Sequence, residues 1–309
     1  MRAAGCRRAC YDPAMNATLP TEPRLRHVQC LAPEGLHRMA YWEWGDAANP
    51  KVLVCVHGLT RQGRDFDTFA QAMHGEYRVV CPDVPGRGQS DWLKNPASYA
   101  IPQYVSDMVT LLARLDAAEV HWVGTSMGGL IGLGLAALPG SPIQRLVLND
   151  VGPAIEYAAL ARIGAYVGQP AHWKTVDEAA DALRAISLGF GPHTREQWLA
   201  LTRPQLKPDG DGFRPHYDPA LAEPFRAVTP ELAAAGEAQL WQAYDALRCP
   251  TLVLRGAESD LLSRATADAM AQRGPRARVH EIAGVGHAPM LVQPDQIAVV
   301  RDFLLDRSP

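Results

Sequence analysis

Six short runs of mostly apolar residues stand out along the chain: 51–57 (KVLVCVH), 77–82 (YRVVCP), 120–124 (VHWVG), 144–149 (QRLVLN), 250–256 (PTLVLRG) and, more weakly, 277–283. They are continuous rather than alternating, which suits strands buried on both faces of a parallel sheet. Between them the period lengthens. Residues 103–115 place Tyr104, Met108, Leu111, Leu112 and Leu115 on one helical face. Residues 127–138 (MGGLIGLGLAAL) form a small-residue helix able to pack closely on a sheet, and 293–305 form a closing amphipathic helix with Pro294 tolerated in its first turn. Alternating strands and helices predict an α/β fold with a doubly wound, mostly parallel sheet of about eight strands. Segments 25–30 and 37–44 lack a helix between them and read as an opening antiparallel hairpin.

The alternation breaks between 151 and 244. Helical patterns recur there at 154–167, 176–188 and 194–206, beside a loop rich in Pro, Asp and Gly at 204–219 (PQLKPDGDGFRPHYDP). The expected organisation is a flexible leader at 1–24, a core built from 25–150 and 245–309, and a helical lid at 151–244. The leader has arginines but no apolar stretch of the secretory kind, and Met15 is a candidate start.

Composition narrows the classes further. With 47% hydrophobic and 20% charged residues over 309 positions, a mainly disordered chain is excluded. A formal charge of −3 gives no support to a phosphate-binding nucleic-acid partner. The longest apolar run, 129–138, falls well short of the ~20 residues a membrane span requires, so no membrane partner is expected. The six cysteines, Cys6, Cys10, Cys30, Cys55, Cys81 and Cys249, show no zinc spacing. They read as reduced cysteines of a cytoplasmic protein that uses no metal and no organic cofactor.

The chemistry concentrates at Gly124-Thr125-Ser126-Met127-Gly128. This GxSxG directly follows a strand and directly precedes a helix, the setting of a nucleophile on a sharp, strained turn. A serine hydroxyl needs a base. His287, in Gly284-Val285-Gly286-His287, lies after the last strand and before the last helix, on the same sheet edge as Ser126. His57 is its main rival, better read as shaping the loop it opens. The histidine needs a carboxylate to hold its tautomer. Asp260, after TLVLRG, is the expected one, since Ser126, Asp260 and His287 then follow the chain order typical of this arrangement. Glu258 and Asp150 are rivals, with Asp150 expected instead to anchor the start of the insertion. Backbone N–H groups of Met127 and Leu59 are the expected oxyanion donors. The segment 83–91 (DVPGRGQSD) has the look of a phosphate loop but lacks its lysine and spacing, and reads as structural.

Together HGLT, DVPGRGQSD, GTSMGG, LRGAESD and GVGHAP resemble the α/β-hydrolase superfamily, in its order, across roughly residues 25 to 305. The chain is similar to lidded bacterial serine carboxylesterases. HGLTRQGRDF, LNDVGP, HYDP and LRGAESDLL resemble, more narrowly, a group that includes hydrolases of aliphatic polyesters and hydroxyalkanoate oligomers. That resemblance implies an ester hydrolase working through an acyl-enzyme on a small or oligomeric ester. Ser126, where dehalogenases and epoxide hydrolases of the superfamily carry aspartate, argues against both. Carbon–carbon hydrolases of aromatic degradation share the triad and stand as the alternative, though they often have Asn where this chain has Thr125. Ten aromatics of the insertion, among them Trp173, Trp198, Trp241, Tyr166 and Phe190, fit either a roofed apolar pocket or the lid's own core.

Overall fold

A computed structural model describes residues 22–155 and 157–307. Most of the expected leader, with Cys6, Cys10 and Met15, lies outside the described residues. The chain opens with β1 (Arg24–Ala32) and β2 (Gly35–Trp44), the expected hairpin, and continues through β3 (Lys51–Val56), α1 (Asp67–Met73), β4 (Arg78–Pro82), α2 (Ile101–Leu115), β5 (Glu119–Thr125), α3 (Met127–Ala136) and β6 (Ile143–Asn149). The insertion follows with α4 (Tyr157–Tyr166), α5 (Val176–Ile186), α6 (Arg195–Thr202), β7 (Leu206–Asp209), β8 (Gly212–Pro215), α7 (Ala222–Arg226) and α8 (Pro230–Ala246). Then come β9 (Thr251–Gly256), α9 (Arg264–Gln272), β10 (Arg278–Ile282) and α10 (Pro294–Leu304).

The main sheet has eight strands in the order β1-β2-β4-β3-β5-β6-β9-β10, with β2 antiparallel to both its neighbours and the rest parallel. The strand period of two explains why β3 is apolar from Val52 to Val56. Val52, Val54 and Val56 pack on one face with Met108, Leu111 and Ile131 of α2 and α3. Leu53 and Cys55 pack on the other with Phe69, Met73, Val300 and Phe303 of α1 and α10. Helices on both faces leave the carboxyl ends of β3, β5, β6 and β9 as the open edge where side chains from several loops can meet.

The insertion departs from the expected all-helical unit. The loop at 204–219 contains a two-stranded hairpin, β7 and β8, turning at Gly210 (φ +56°). Two prolines and four charged residues masked its strand character. Helix α8 also went unread, because its buried positions reduce to Tyr244 and no apolar stripe marks the sequence. Backbone hydrogen bonds from Gly88 N–H to His216 O (3.0 Å) and from Gly286 N–H to Gly189 O (2.7 Å) tie the insertion to loops at the sheet's open edge.

Candidate active site

Ser126 joins β5 to α3 with φ 52° and ψ −117°, a region that residues with a Cβ rarely occupy. The flanking glycines make this turn possible. A Cβ at position 124 would lie 2.2 Å from Gly128 O, and one at 128 would lie 2.0 Å from Val56 O. The turn is anchored by Ser126 N–H donating to Asn149 O at 3.0 Å. The same asparagine's amide donates to Thr125 Oγ1 (2.9 Å) and Pro289 O (2.7 Å), so one buried side chain fastens the serine strand to the histidine loop. Asn149 was not singled out in the sequence; its place one residue before Asp150 at a strand end is the available signal.

His287 lies with Nε2 3.0 Å from Ser126 Oγ, accepting from the hydroxyl, and Nδ1 2.7 Å from Asp150 Oδ2, donating to the carboxylate. The carboxylate on His287 Nδ1 is that of Asp150, where Asp260 was expected. Asp260 is half exposed and ion-paired with Arg162 of α4. The physical reason is the backbone at the end of β6. Asp150 adopts φ 54° and its N–H donates to Leu254 O (2.8 Å), which turns the side chain inward under the β9 edge. There its carboxylate receives Gly256 N–H (2.8 Å), Ser259 Oγ–H (2.6 Å) and the imidazole, with no solvent exposure. Three donors to one buried carboxylate fix its orientation. Glu258, the other rival, lines the cavity without touching His287 Nδ1.

His57 is fully buried; Nε2 accepts Val84 N–H at 3.0 Å and Nδ1–H donates to Gly58 O at 2.7 Å. Burial pushes its imidazole down to about 3, so it stays neutral and holds the β3 and β4 loops together, in line with its expected loop-shaping place. The loop it opens carries Leu59 to the cavity wall, while Met127 begins α3, where a first-turn N–H has no acceptor within the helix.

A cavity of about 480 Å³ encloses Ser126 and His287. The core loops form its floor, and α4 with the stretch 183–190 of the insertion form its roof, a size suited to a small organic ligand. Arg61 pairs with Asp65 through two bonds of 2.7 and 2.8 Å and also donates to Leu201 O, bracing the cavity floor to α6 of the insertion. Of the insertion's aromatics, Tyr166 and Phe190 face the cavity. Trp198 stacks behind Phe190 at 6.0 Å, and Tyr244 is buried in the insertion–core junction, so the aromatic excess mainly builds internal packing. A larger open cleft of about 1070 Å³ lies between 62–67, 88–92 and 200–216 and contains neither Ser126 nor His287. Cys30, His37 and Asp107 bring three potential metal donors within 4.8 Å, but they sit among β1, β2 and α2 and not in the catalytic cavity.

A strained serine turn, a histidine and a buried carboxylate at the edge of an eight-stranded sheet define a hydrolase-type site. The sequence model of the alpha/beta hydrolase family matches residues 53–300, and the chain belongs to that family. It is 57% identical over 289 residues to the 3-hydroxybutyrate-oligomer hydrolase of Cupriavidus necator, covering 92% of this chain and 99% of that protein. Esterase YbfF of Escherichia coli is 26% identical, covering 84% of this chain and 94% of its own. Among solved structures, an alpha/beta hydrolase from Novosphingobium aromaticivorans superposes with a TM-score of 0.81 at 37% identity, covering 93% of this chain and 99% of that one.

Proposed function

We propose that this chain is a serine hydrolase of carboxylic esters that cleaves hydroxyalkanoate oligomers, with Ser126, His287 and Asp150 as its catalytic triad. The continuous Ser126–His287–Asp150 hydrogen-bonded relay, with Ser126 and His287 open to a ligand-sized cavity, carries this reading. The likeness to a 3-hydroxybutyrate-oligomer hydrolase over nearly the whole of both chains supports the substrate class. In the mechanism, His287 Nε2 takes the proton of Ser126 as Oγ attacks the ester carbonyl. The N–H groups of Leu59 and Met127 receive the developing oxyanion. His287 then protonates the leaving alcohol, and water activated by the same nitrogen releases the acid. Asp150 remains ionised, holding Nδ1–H and the imidazolium. The insertion at 151–244 acts as a lid that excludes water and opens to admit a short chain.

The test is a substrate panel with two controls. Ser126→Ala is expected to lose nearly all turnover, and a fluorophosphonate to label only the wild-type chain. Hydroxybutyrate trimers are expected to be cut with kcat/KM at least as high as a simple nitrophenyl butyrate, and long palmitate esters poorly. Rapid cleavage of a dienone carbon–carbon bond with negligible ester turnover would overturn the assignment. Indifference to every hydroxyacid oligomer would remove the substrate class and leave the esterase.

A further inference from the structure

We propose that Arg87 is a positioning residue for the oxyanion site, joining the two segments that carry its donors; this rests on the serine-hydrolase reading above. Arg87 lies in the DVPGRGQSD segment, to which the mechanism assigns no part. Its side chain is fully buried, an expensive place for a guanidinium. Among the described residues its hydrogen-bond partners are two carbonyls, a hydroxyl and a thioether, not a carboxylate. Its donors are instead spent on the site's framework. Nε donates to Leu59 O at 2.7 Å, and Nη2 lies 3.3 Å from Met127 Sδ. Nη1 donates to Pro85 O (2.7 Å) and Tyr104 OH (2.9 Å), with the Tyr104 ring 5.2 Å from the guanidinium carbon. The planar fork thus touches both residues to which the proposed mechanism assigns the oxyanion amides, and ties them to α2.

The backbone of the same residue reaches the insertion. Arg87 forms a β-bridge with Tyr217, and Asp218 N–H donates to Gly86 O at 2.8 Å. Tyr99, which packs 5.9 Å from the Arg87 guanidinium, donates its hydroxyl to Asp218 Oδ2 at 2.5 Å. One residue therefore sets the spacing between the loop after β3, the start of α3 and the 216–218 segment that follows β8 in the insertion. Holding these segments at a fixed spacing matters most when negative charge develops at the oxyanion, which favours the transition state over bound ester.

The test compares Arg87→Lys, which keeps the charge and loses the fork, with Tyr104→Phe, a milder variant that removes one anchor of that fork. Both are measured per active site titrated with fluorophosphonate, beside thermal melts. Arg87→Lys is expected to lower kcat by about 10- to 100-fold, less than the ~10²–10³-fold cost of losing an oxyanion donor outright because the donors are displaced rather than removed, with KM changed less than about 3-fold. Affinity for an alkylboronate, which forms a tetrahedral adduct on serine, is expected to fall in parallel. Tyr104→Phe is expected to move the same quantities by a smaller factor in the same direction. Wild-type kcat per titrated site in both variants, or a loss confined to KM, would overturn the inference. Loss of activity explained wholly by fewer titratable sites and a lower melting point would overturn it as well. Ser126→Ala separates the two claims: if that variant keeps turnover, the serine-hydrolase reading fails; if it is inactive while the Arg87 and Tyr104 variants work normally, only this inference fails.

Discussion

β6 and β9 are neighbouring parallel strands, and the loop after each carries an aspartate, but the two carboxylates meet different surroundings. Asp150 follows its strand immediately, is fully buried, and is surrounded by donors from Gly256, Ser259 and His287. Asp260 stands four residues beyond its strand, is 52% exposed, and faces Arg162 of the insertion. A carboxylate in water gains little from an exposed partner, whereas a buried one is fixed in place by every donor it accepts. Stabilising an imidazolium calls for the second kind. Charge in a low dielectric acts strongly, and a group without freedom to turn away holds the tautomer.

The sharpest way to break this comparison is to neutralise each aspartate in turn. Asp150→Asn is expected to cost on the order of 10⁴ in kcat through the wrong tautomer of His287. Asp260→Asn is expected to leave kcat within the same order of magnitude. Steady-state turnover of nitrophenyl butyrate decides it, and the reverse ranking would move the acid to the β9 loop.

A second carboxylate that directly follows a strand sharpens the point. Asp83, after β4, is fully buried and accepts Gly63 N–H (2.8 Å) and Gln89 N–H (2.8 Å). Burial pushes it up to about 6, while burial pushes nearby His57 down to about 3. The two groups act oppositely on stability. Between pH 4 and 6 the unfolded chain protonates His57 and the folded chain does not, so this term is lost as pH falls. Asp83 over the same window is protonated in the folded chain only, so its term is gained as pH falls. Asp83→Asn removes the compensation. The variant's unfolding free energy is expected to fall more steeply than wild type from pH 6 to 4, by up to ~1.4 kcal/mol per pH unit. Denaturant melts that stay parallel across this range would refute the assignment of a raised carboxyl.

Within the Asp150 cluster, Ser259 supplies the smaller effect. Its hydroxyl donates to Asp150 Oδ2 and accepts Leu262 N–H at 3.1 Å. Ser259→Ala is expected to lower kcat about tenfold with KM unchanged, the worth of one hydrogen bond to a charged group. An unchanged kcat would mean that Gly256 and the imidazole alone hold the carboxylate.

Ser126 and His287 were legible because local constraints betray them: glycines two residues either side of a serine at a strand end, and a glycine-rich loop before the last helix. The sheet was legible for the same kind of reason, since each buried strand is a continuous apolar run. Asp150 was not, because parallel neighbours such as Asn149 and Leu254 bring the ends of two loops together, and only a positive φ decides which aspartate turns inward. The loop motif typical of the fold favoured Asp260. Position directly after a strand goes with burial, as at both Asp83 and Asp150. Arg87 and Asn149 act through backbone carbonyls and side-chain partners far away in sequence, and no spacing rule exposes such contacts.

The smallest expected effect concerns the exposed pair itself. Arg162 and Asp260 join α4 to the β9 loop across the cavity mouth, each with half its side chain in water. Two mobile side chains lose rotamer freedom on pairing and are screened by salt, so the pair's net worth is about 0–1 kcal/mol. A double-mutant cycle of Arg162→Ala and Asp260→Asn, read by denaturant unfolding, is expected to give a coupling within that range that shrinks further in high salt. A coupling above about 2 kcal/mol, insensitive to salt, would require the pair to be desolvated in solution. The β9 carboxylate would then be as buried as the β6 one, the insertion would sit closed over it, and the contrast between the two strand ends would rest on partner identity alone.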